Sequence, residues 1–361
     1  MSDDKKNHAP KIEVNELDDK KKKSMGNRII VAAILICLAL PCVVLGGWFW
    51  FAFVTVFLGF AIYEVLKAPQ KKYKWYIWVF TYIAIYSFAL WGVVKANVSS
   101  YIETRKTYET AIASGGTLNF AWSPSLESHY SSLWISLYGI ATCFGFYSLC
   151  SILHEEFTWH DVTYFFTMCF VIGIGFQAML FCRFVPFNSF LSESGISTDT
   201  AIFKYWQSAI FFIFVILTTC LNDTWAYFVG MLFGKHHMSP RISPNKTWEG
   251  FVGGCVLSAI SGFAFLMICE GCGFVAIPTM NIFGPNTKFW WPLILCFTMP
   301  LIGDLGDFTF SAIKRHYGFK DYSHILGAHG GILDRADSLI FTMIYSSIFV
   351  VFTANSWSFL K

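Results

Sequence analysis

His329-Gly330-Gly331-Ile332-Leu333-Asp334-Arg335-Ala336-Asp337 runs without a break into the apolar stretch 338–353, which with its first turns is long enough to cross a bilayer. Two carboxylates therefore stand where a membrane helix begins. With a helix start near Ile332, Asp334 and Asp337 are spaced i, i+3 and share a face. The paired glycines Gly330 and Gly331 would let an anionic ligand approach the backbone N–H groups at that helix start. A metal held between the two acids would bring a phosphate there.

Outward from this stretch, the whole chain has the composition of a membrane protein. Of its 361 residues 55% are hydrophobic, 19% aromatic and only 14% charged, and the mean hydropathy is +0.52, which excludes an ordinary soluble domain. The expected fold is an all-α polytopic integral membrane protein. Apolar spans fall at 28–46, 48–66, 75–94, 132–153, 161–182, 207–233, 250–269, 290–303 and 335–353, about nine transmembrane helices. Three regions follow: a disordered, lysine-rich cytosolic tail over 1–27, a transmembrane scaffold over 28–205, and a transmembrane catalytic region over 206–361.

The formal net charge is only +3, and the lysines cluster in 20–23 and at Lys67, Lys71 and Lys72. That pattern speaks against a nucleic-acid partner and for membrane orientation. With the tail in the cytosol, the basic loops 67–74, 235–246 and 314–320 all fall on the cytosolic side. Glu64, close to the cytosolic end of the second span, reads as an acid that snorkels to the interface, not as a site residue. Of the glycosylation sequons, the one at Asn97 falls on the opposite face. Most of the eleven cysteines sit inside apolar spans and behave as small hydrophobes. Cys269 and Cys272 are the exception, as a loop disulfide or two free thiols.

Polar clusters recur towards the cytosolic ends of the later spans. Asn222 and Asp223 lie within the sixth, where a carboxylate is costly unless it faces a cavity or a partner. The loop after that span is turn-rich: Ser243-Pro244 favours a turn, Thr247 or Ser243 caps the next helix, and Lys246 offers a point charge to a phosphate. Read as a helix, Asp304, Asp307, Ser311 and Lys314 follow i, i+3, i+7 and i+10 and line one stripe. Lys320 and Asp321 come next in the connecting loop. Two helices that each offer carboxylates at a membrane rim suit cations bridged by ligand phosphates.

Taken together, Ser243-Pro244-Asn245-Lys246-Thr247-Trp248-Glu249-Gly250, then Gly306-Asp307 with Ser311, Lys314 and Arg315, then Lys320-Asp321, and finally 329–337 resemble the signature of the phosphatidate cytidylyltransferases, or CDP-diacylglycerol synthases. The resemblance is strong over about 205–345, and the N-terminal half matches only as a multi-span scaffold. It implies transfer of the cytidylyl group of CTP to phosphatidic acid, giving CDP-diacylglycerol and pyrophosphate, in a Mg²⁺-dependent, all-helical membrane enzyme that pairs as a homodimer.

By motif position, the resemblance implies that Asp307 and Asp334 hold the metal, while Asp337, Lys314, Arg315, Lys246 and Arg335 handle phosphates. His329 is expected as a phosphate contact. Ser243, Thr247, Asp223, Ser311, Lys320, Asp321, Gly330 and Gly331 are expected around CTP and the lipid headgroup. Phe310 stands where bacterial members often carry a glutamate, so Asp304, one turn before Asp307, is the substitute ligand for a second cation. The lysine-rich tail and early extra spans are similar to eukaryotic members, which implies the endoplasmic reticulum membrane. Two alternatives are a CTP-dependent polyprenol or phytol kinase and a multi-span transporter; the latter would spread ionisable groups along a crossing path.

Overall fold

Inside lipid, a backbone can satisfy its own polar groups only as a helix or a closed barrel, and in this chain it is helical. The computed structural model describes residues 33–91, 133–184, 201–274, 276–277, 282, 289–327 and 330–354. Among them are nine helices: α1 (Ala33–Leu45), α2 (Gly47–Lys67), α3 (Trp75–Trp91), α4 (Leu133–Leu153), α5 (Trp159–Phe184), α6 (Ala201–Phe233), α7 (Trp248–Gly271), α8 (Trp290–His316) and α9 (Leu333–Ala354). Six of these, α2 and α5 to α9, are long and apolar enough to cross a membrane. The fold class agrees with composition. The tail 1–27, Asn97 and His329 lie outside the described residues.

Two features depart from the spans expected. The eighth does not stop at residue 303: α8 continues through Pro300 to His316, so the acidic stripe sits on the same rod as the apolar span. Neighbouring helices re-satisfy the backbone that a proline frees, which is why such interruptions are tolerated in membranes. The loop after α6 is a short antiparallel hairpin, β1 (His237–Ser239) and β2 (Ser243–Thr247), pairing His237 with Thr247 and Ser239 with Ser243. A five-residue strand containing Pro244 carries no hydrophobic alternation to betray it.

Helix association in lipid depends on close packing rather than on hydrophobic gain, so small residues sit where backbones touch. A Cβ on Gly250 would lie 2.8 Å from the Ala226 carbonyl oxygen, and one on Gly254 2.8 Å from the Ala226 Cβ, so α6 and α7 meet backbone to backbone. Gly306 does the same for α8 on α9, where a Cβ would stand 2.7 Å from the Asp337 carbonyl oxygen. Gly175 admits Ile340 of α9 against α5. The pairs α6/α7 and α8/α9, with α5 behind α9, set the helix ends that carry the polar clusters.

At the N-terminus of α5, Asp161 accepts the Thr158 N–H at 2.8 Å and also holds Lys71 at 2.6 Å and the Tyr73 hydroxyl at 2.8 Å. This pins the α2–α3 loop to α5. Gln70 donates to the Tyr317 carbonyl at 3.4 Å, and Arg315 Nε to the Ile242 carbonyl at 3.2 Å. The three basic loops therefore gather at one end of the bundle, as a single orientation requires. At the far end the buried Arg183 Nε donates to the Val43 carbonyl at 2.7 Å. All eleven cysteines are free thiols, Cys269 and Cys272 included.

Candidate active site

The hairpin delivers Lys246. Thr247 caps α7, its Oγ1 accepting the Gly250 N–H at 3.2 Å, and the preceding residue is thereby aimed between α6 and α8. Lys246 Nζ bridges two carboxylates of α8, lying 3.0 Å from Asp304 Oδ1 and 2.7 Å from Asp307 Oδ2, with the Phe308 ring beneath it at 4.5 Å. Burial works against the ammonium, but Asp304 and Asp307 outweigh it and raise the Lys246 pKa above its ordinary value.

Asp304 is almost fully buried, and its second oxygen accepts the Asn222 Nδ2 at 3.0 Å. Asn222 is itself buried, and its Oδ1 meets no donor among the described residues. Asp223, the next residue along α6, is exposed and within electrostatic reach of Lys246, Asp307 and Asp304. Asp307 also accepts the Ser311 hydroxyl at 3.2 Å, one turn along the predicted stripe. Asp337, near the start of α9, is buried and faces Asp307 and Asp223 closely enough to repel both.

A second array sits about two turns further along α8. Lys314 Nζ lies 2.8 Å from Asp334 Oδ1 in a nearly buried pair. The other Asp334 oxygen accepts the Tyr322 N–H at 2.8 Å and the Gly331 N–H at 2.9 Å. Both Asp334 oxygens are engaged in holding the loop and Lys314, in an array apart from Asp307. Asp307 instead clusters with Asp304, Asp337 and Asp223.

Glu64 is the residue that sequence reasoning set aside. It does not snorkel; it is fully buried at the end of α2 and accepts the Ile332 and Leu333 N–H groups at 2.8 Å each, as well as the Ser323 hydroxyl. Helix N-termini leave donors that an anion satisfies, and here the anion is the protein's own. Gly330 and Gly331 allow that close approach. Gly330 has φ +81°, and a Cβ on Gly331 would lie 2.5 Å from Glu64 Oε1. The usable signal was an acid inside an apolar span, which needs a partner when it cannot reach water.

The remaining predicted residues divide. Arg335 is exposed and within electrostatic reach of Asp223. Arg315 donates to the Ile242 and Phe319 carbonyls and so fastens the hairpin to the end of α8. Ser243 lies in the β1–β2 pairing, and Lys320 and Asp321 are exposed on the loop beyond α8, outside both arrays. Phe310 is buried against Tyr322 and Phe341. Asp304 is already committed to Lys246 and Asn222.

The sequence that builds these two lysine–carboxylate arrays is matched, over residues 26–353, by a family model described as the cytidylyltransferase family. The chain belongs to that family. Among its curated relatives, the phosphatidate cytidylyltransferase of Staphylococcus saprophyticus is 39% identical over 141 residues, 39% of this chain and 49% of the relative. That of Staphylococcus epidermidis is 41% identical over 143 residues, covering 40% and 50%. That of Staphylococcus aureus is 38% identical over 141 residues, covering 39% and 49%. The chain therefore spans about half the length of the curated relatives it matches.

Chemically, the family site has an excess of hard oxygen donors. Among the described residues no three His, Cys, Asp or Glu side chains converge tightly enough to hold an ion unaided. Mg²⁺ does not need them to, since it takes one or two carboxylates and completes its shell with water and substrate phosphates. The buried Asn222 Oδ1 without a donor, and the ammonium already lodged between two carboxylates, fit a cation at this place.

Proposed function

We propose that this protein transfers the cytidylyl group of CTP to phosphatidic acid, giving CDP-diacylglycerol and pyrophosphate. The observation that carries the reading is the Lys246 bridge between Asp304 and Asp307, built from two of the sequence motifs that resemble phosphatidate cytidylyltransferases. The relatives bearing that name support the choice of substrates.

In the proposed reaction a phosphate oxygen of the lipid attacks the α-phosphorus of CTP, and the bond from that phosphorus to the bridging oxygen of the β-phosphate breaks. Pyrophosphate leaves with the electron pair. Lys246 would exchange its carboxylate partners for triphosphate oxygens, and exposed Arg335 would meet the lipid phosphate. Phosphatidate is already ionised near neutral pH, so no general base is required. Mg²⁺, when bound, would neutralise charge on the triphosphate as it builds on the departing oxygens. Asp307, with Asp337 and Asp223, would hold it. Asp334 and Glu64 would keep Lys314 and the α9 start in place.

Gathering of the basic loops at the site end supports a cytosolic orientation for it. A homodimer in the endoplasmic reticulum membrane is carried in this proposal by the family resemblance alone. The test uses purified protein with CTP labelled at the α- or the γ-phosphate. Label from the α-position should enter lipid, and label from the γ-position should leave in pyrophosphate. Release of CDP with γ-label on a lipid alcohol would show a kinase instead.

A further inference from the structure

A cavity of about 390 Å³ opens where the α2–α3 loop meets the connection from α4 to α5. Lys71, Lys72, Lys74, His154 and Glu156 line it, and the buried Ile77 and Phe157 give it an apolar floor. None of its lining residues belongs to either lysine–carboxylate array. Its volume is that of a small-ligand pocket.

The three ammonium groups are not equivalent. Lys71 is paired with the buried Asp161 at 2.6 Å. Lys74 donates to His154 Nδ1 at 3.3 Å, and an accepting imidazole nitrogen carries no negative charge to answer it. Lys72 has no ion-pair partner among the described residues, and neither has Glu156. Two unanswered ammonium groups therefore face one carboxylate.

Its surroundings place the cavity at a membrane surface. Trp75 and Trp159, both exposed, open α3 and α5 beside it, and exposed tryptophans at helix ends mark the headgroup layer. Trp75, Val79 and Ile83 are exposed at i, i+4 and i+8 along α3, and Ile152 and Leu153 are exposed at the end of α4. The two helices lie side by side, with Phe80 stacked on Phe146 at 3.7 Å. Apolar faces thus begin where the charged rim ends.

We propose that this cavity binds the headgroup of an anionic glycerophospholipid of the surrounding leaflet, a lipid that is held and not consumed. Lys72 and Lys74 meet the phosphate, Glu156 accepts from headgroup hydroxyls, and the acyl chains lie on the exposed faces of α3 and α4. A zwitterionic headgroup brings its own cation to the phosphate and leaves the lysines less to answer. Soluble phosphate leaves the apolar faces unused. The loop that forms the cavity is tied to α5 through Lys71 and Tyr73, and to the end of α8 through Gln70. Bound lipid should therefore stabilise the bundle as well as the loop.

The test is lipid retention by the purified, delipidated full chain, read by native mass spectrometry with phosphatidylglycerol or phosphatidylcholine added. The unsubstituted protein should prefer phosphatidylglycerol at least about tenfold, and its thermal unfolding temperature should rise with that lipid. Lys72→Glu should abolish the preference, and Lys74→Ala should lower it. Lys235→Glu makes the same change of charge on the exposed start of the hairpin and should leave the preference intact. Equal retention of the two lipids, or equal losses in Lys72→Glu and Lys235→Glu, overturns the proposal. So does displacement of phosphatidylglycerol by an equal concentration of inorganic phosphate, which would assign the cavity to a soluble anion.

Phosphatidylglycerol with a photoreactive diazirine on an acyl carbon close to the glycerol gives a second readout. It should label Trp75, Val79, Ile152 or Leu153. Labelling confined to distant outward-facing residues such as Ile260 or Met267 overturns the proposal.

Discussion

The carboxylate of Glu64 accepts the Leu333 N–H at 2.8 Å, joining the end of α2 to the first residue of α9. Its other oxygen takes the Ile332 N–H at the same distance. One buried acid thereby fixes the direction in which the helix bearing Asp334 and Asp337 leaves the loop, and it ties the N-terminal scaffold to the reacting end.

Glu64→Gln should weaken this link without changing its volume. Hydrogen bonds to a charged acceptor contribute about 1.5–3 kcal/mol more than none at all, so thermal unfolding in detergent should fall by several degrees. Turnover should drop more through kcat than through KM, because the residue acts on the position of α9 and not on substrate. Unchanged stability and unchanged turnover would mean that the carboxylate is incidental.

Gly331→Ala places a methyl group 2.5 Å from Glu64 Oε1, and overpacking of this kind costs about 1–3 kcal/mol. The loss should be smaller when measured in a Glu64→Ala background, since neighbours that share a contact are not additive. Equal losses in the two backgrounds would show that the contact does not limit the site.

Lys314 and Asp334 form a nearly buried pair, and removing one partner strands the other charge. Lys314→Met or Asp334→Leu alone should each lower stability by about 3–5 kcal/mol, whereas the double substitution should recover much of it. Activity should not return with stability in the double variant. A denaturation cycle on the four proteins, read alongside CTP turnover, separates the two effects.

Much of this site was legible because period and chemistry coincide. Asp307, Ser311 and Lys314 are one helical stripe whether or not the tertiary structure is known, and the Asp307–Ser311 bond bears the stripe out. Thr247 was readable as a cap for the same local reason. Glu64 was not readable in its role: its partners are 268 and 269 positions away, and local sequence carries no trace of them. The loop glycines showed where an anion would sit but not that the anion is a side chain. That this stripe continues the apolar span as one helix was hidden by Pro300 and by a polar composition that looks like a helix end in a hydropathy window. The hairpin escaped because short polar strands have no periodic signature.

Lys246→Ala leaves Asp304 and Asp307 facing each other without their shared cation. Nucleotide use should suffer first, with the KM for CTP raised and kcat/KM lowered at least about a hundredfold, a loss of about 2.7 kcal/mol in transition-state stabilisation. Lys246→Arg should restore part of this, since charge is kept while the point contact is replaced by a planar fork. A KM for CTP unaltered in Lys246→Ala would place the nucleotide elsewhere.

The most direct measurement is turnover of α-labelled CTP into lipid by purified Asp307→Asn, with folding verified by thermal unfolding in the same detergent. The substitution keeps the shape of the side chain and its Ser311 neighbour and removes only the charge. A loss of at least about a hundredfold in kcat is expected. A folded Asp307→Asn protein that transfers the label at a rate near that of the unsubstituted chain would contradict it.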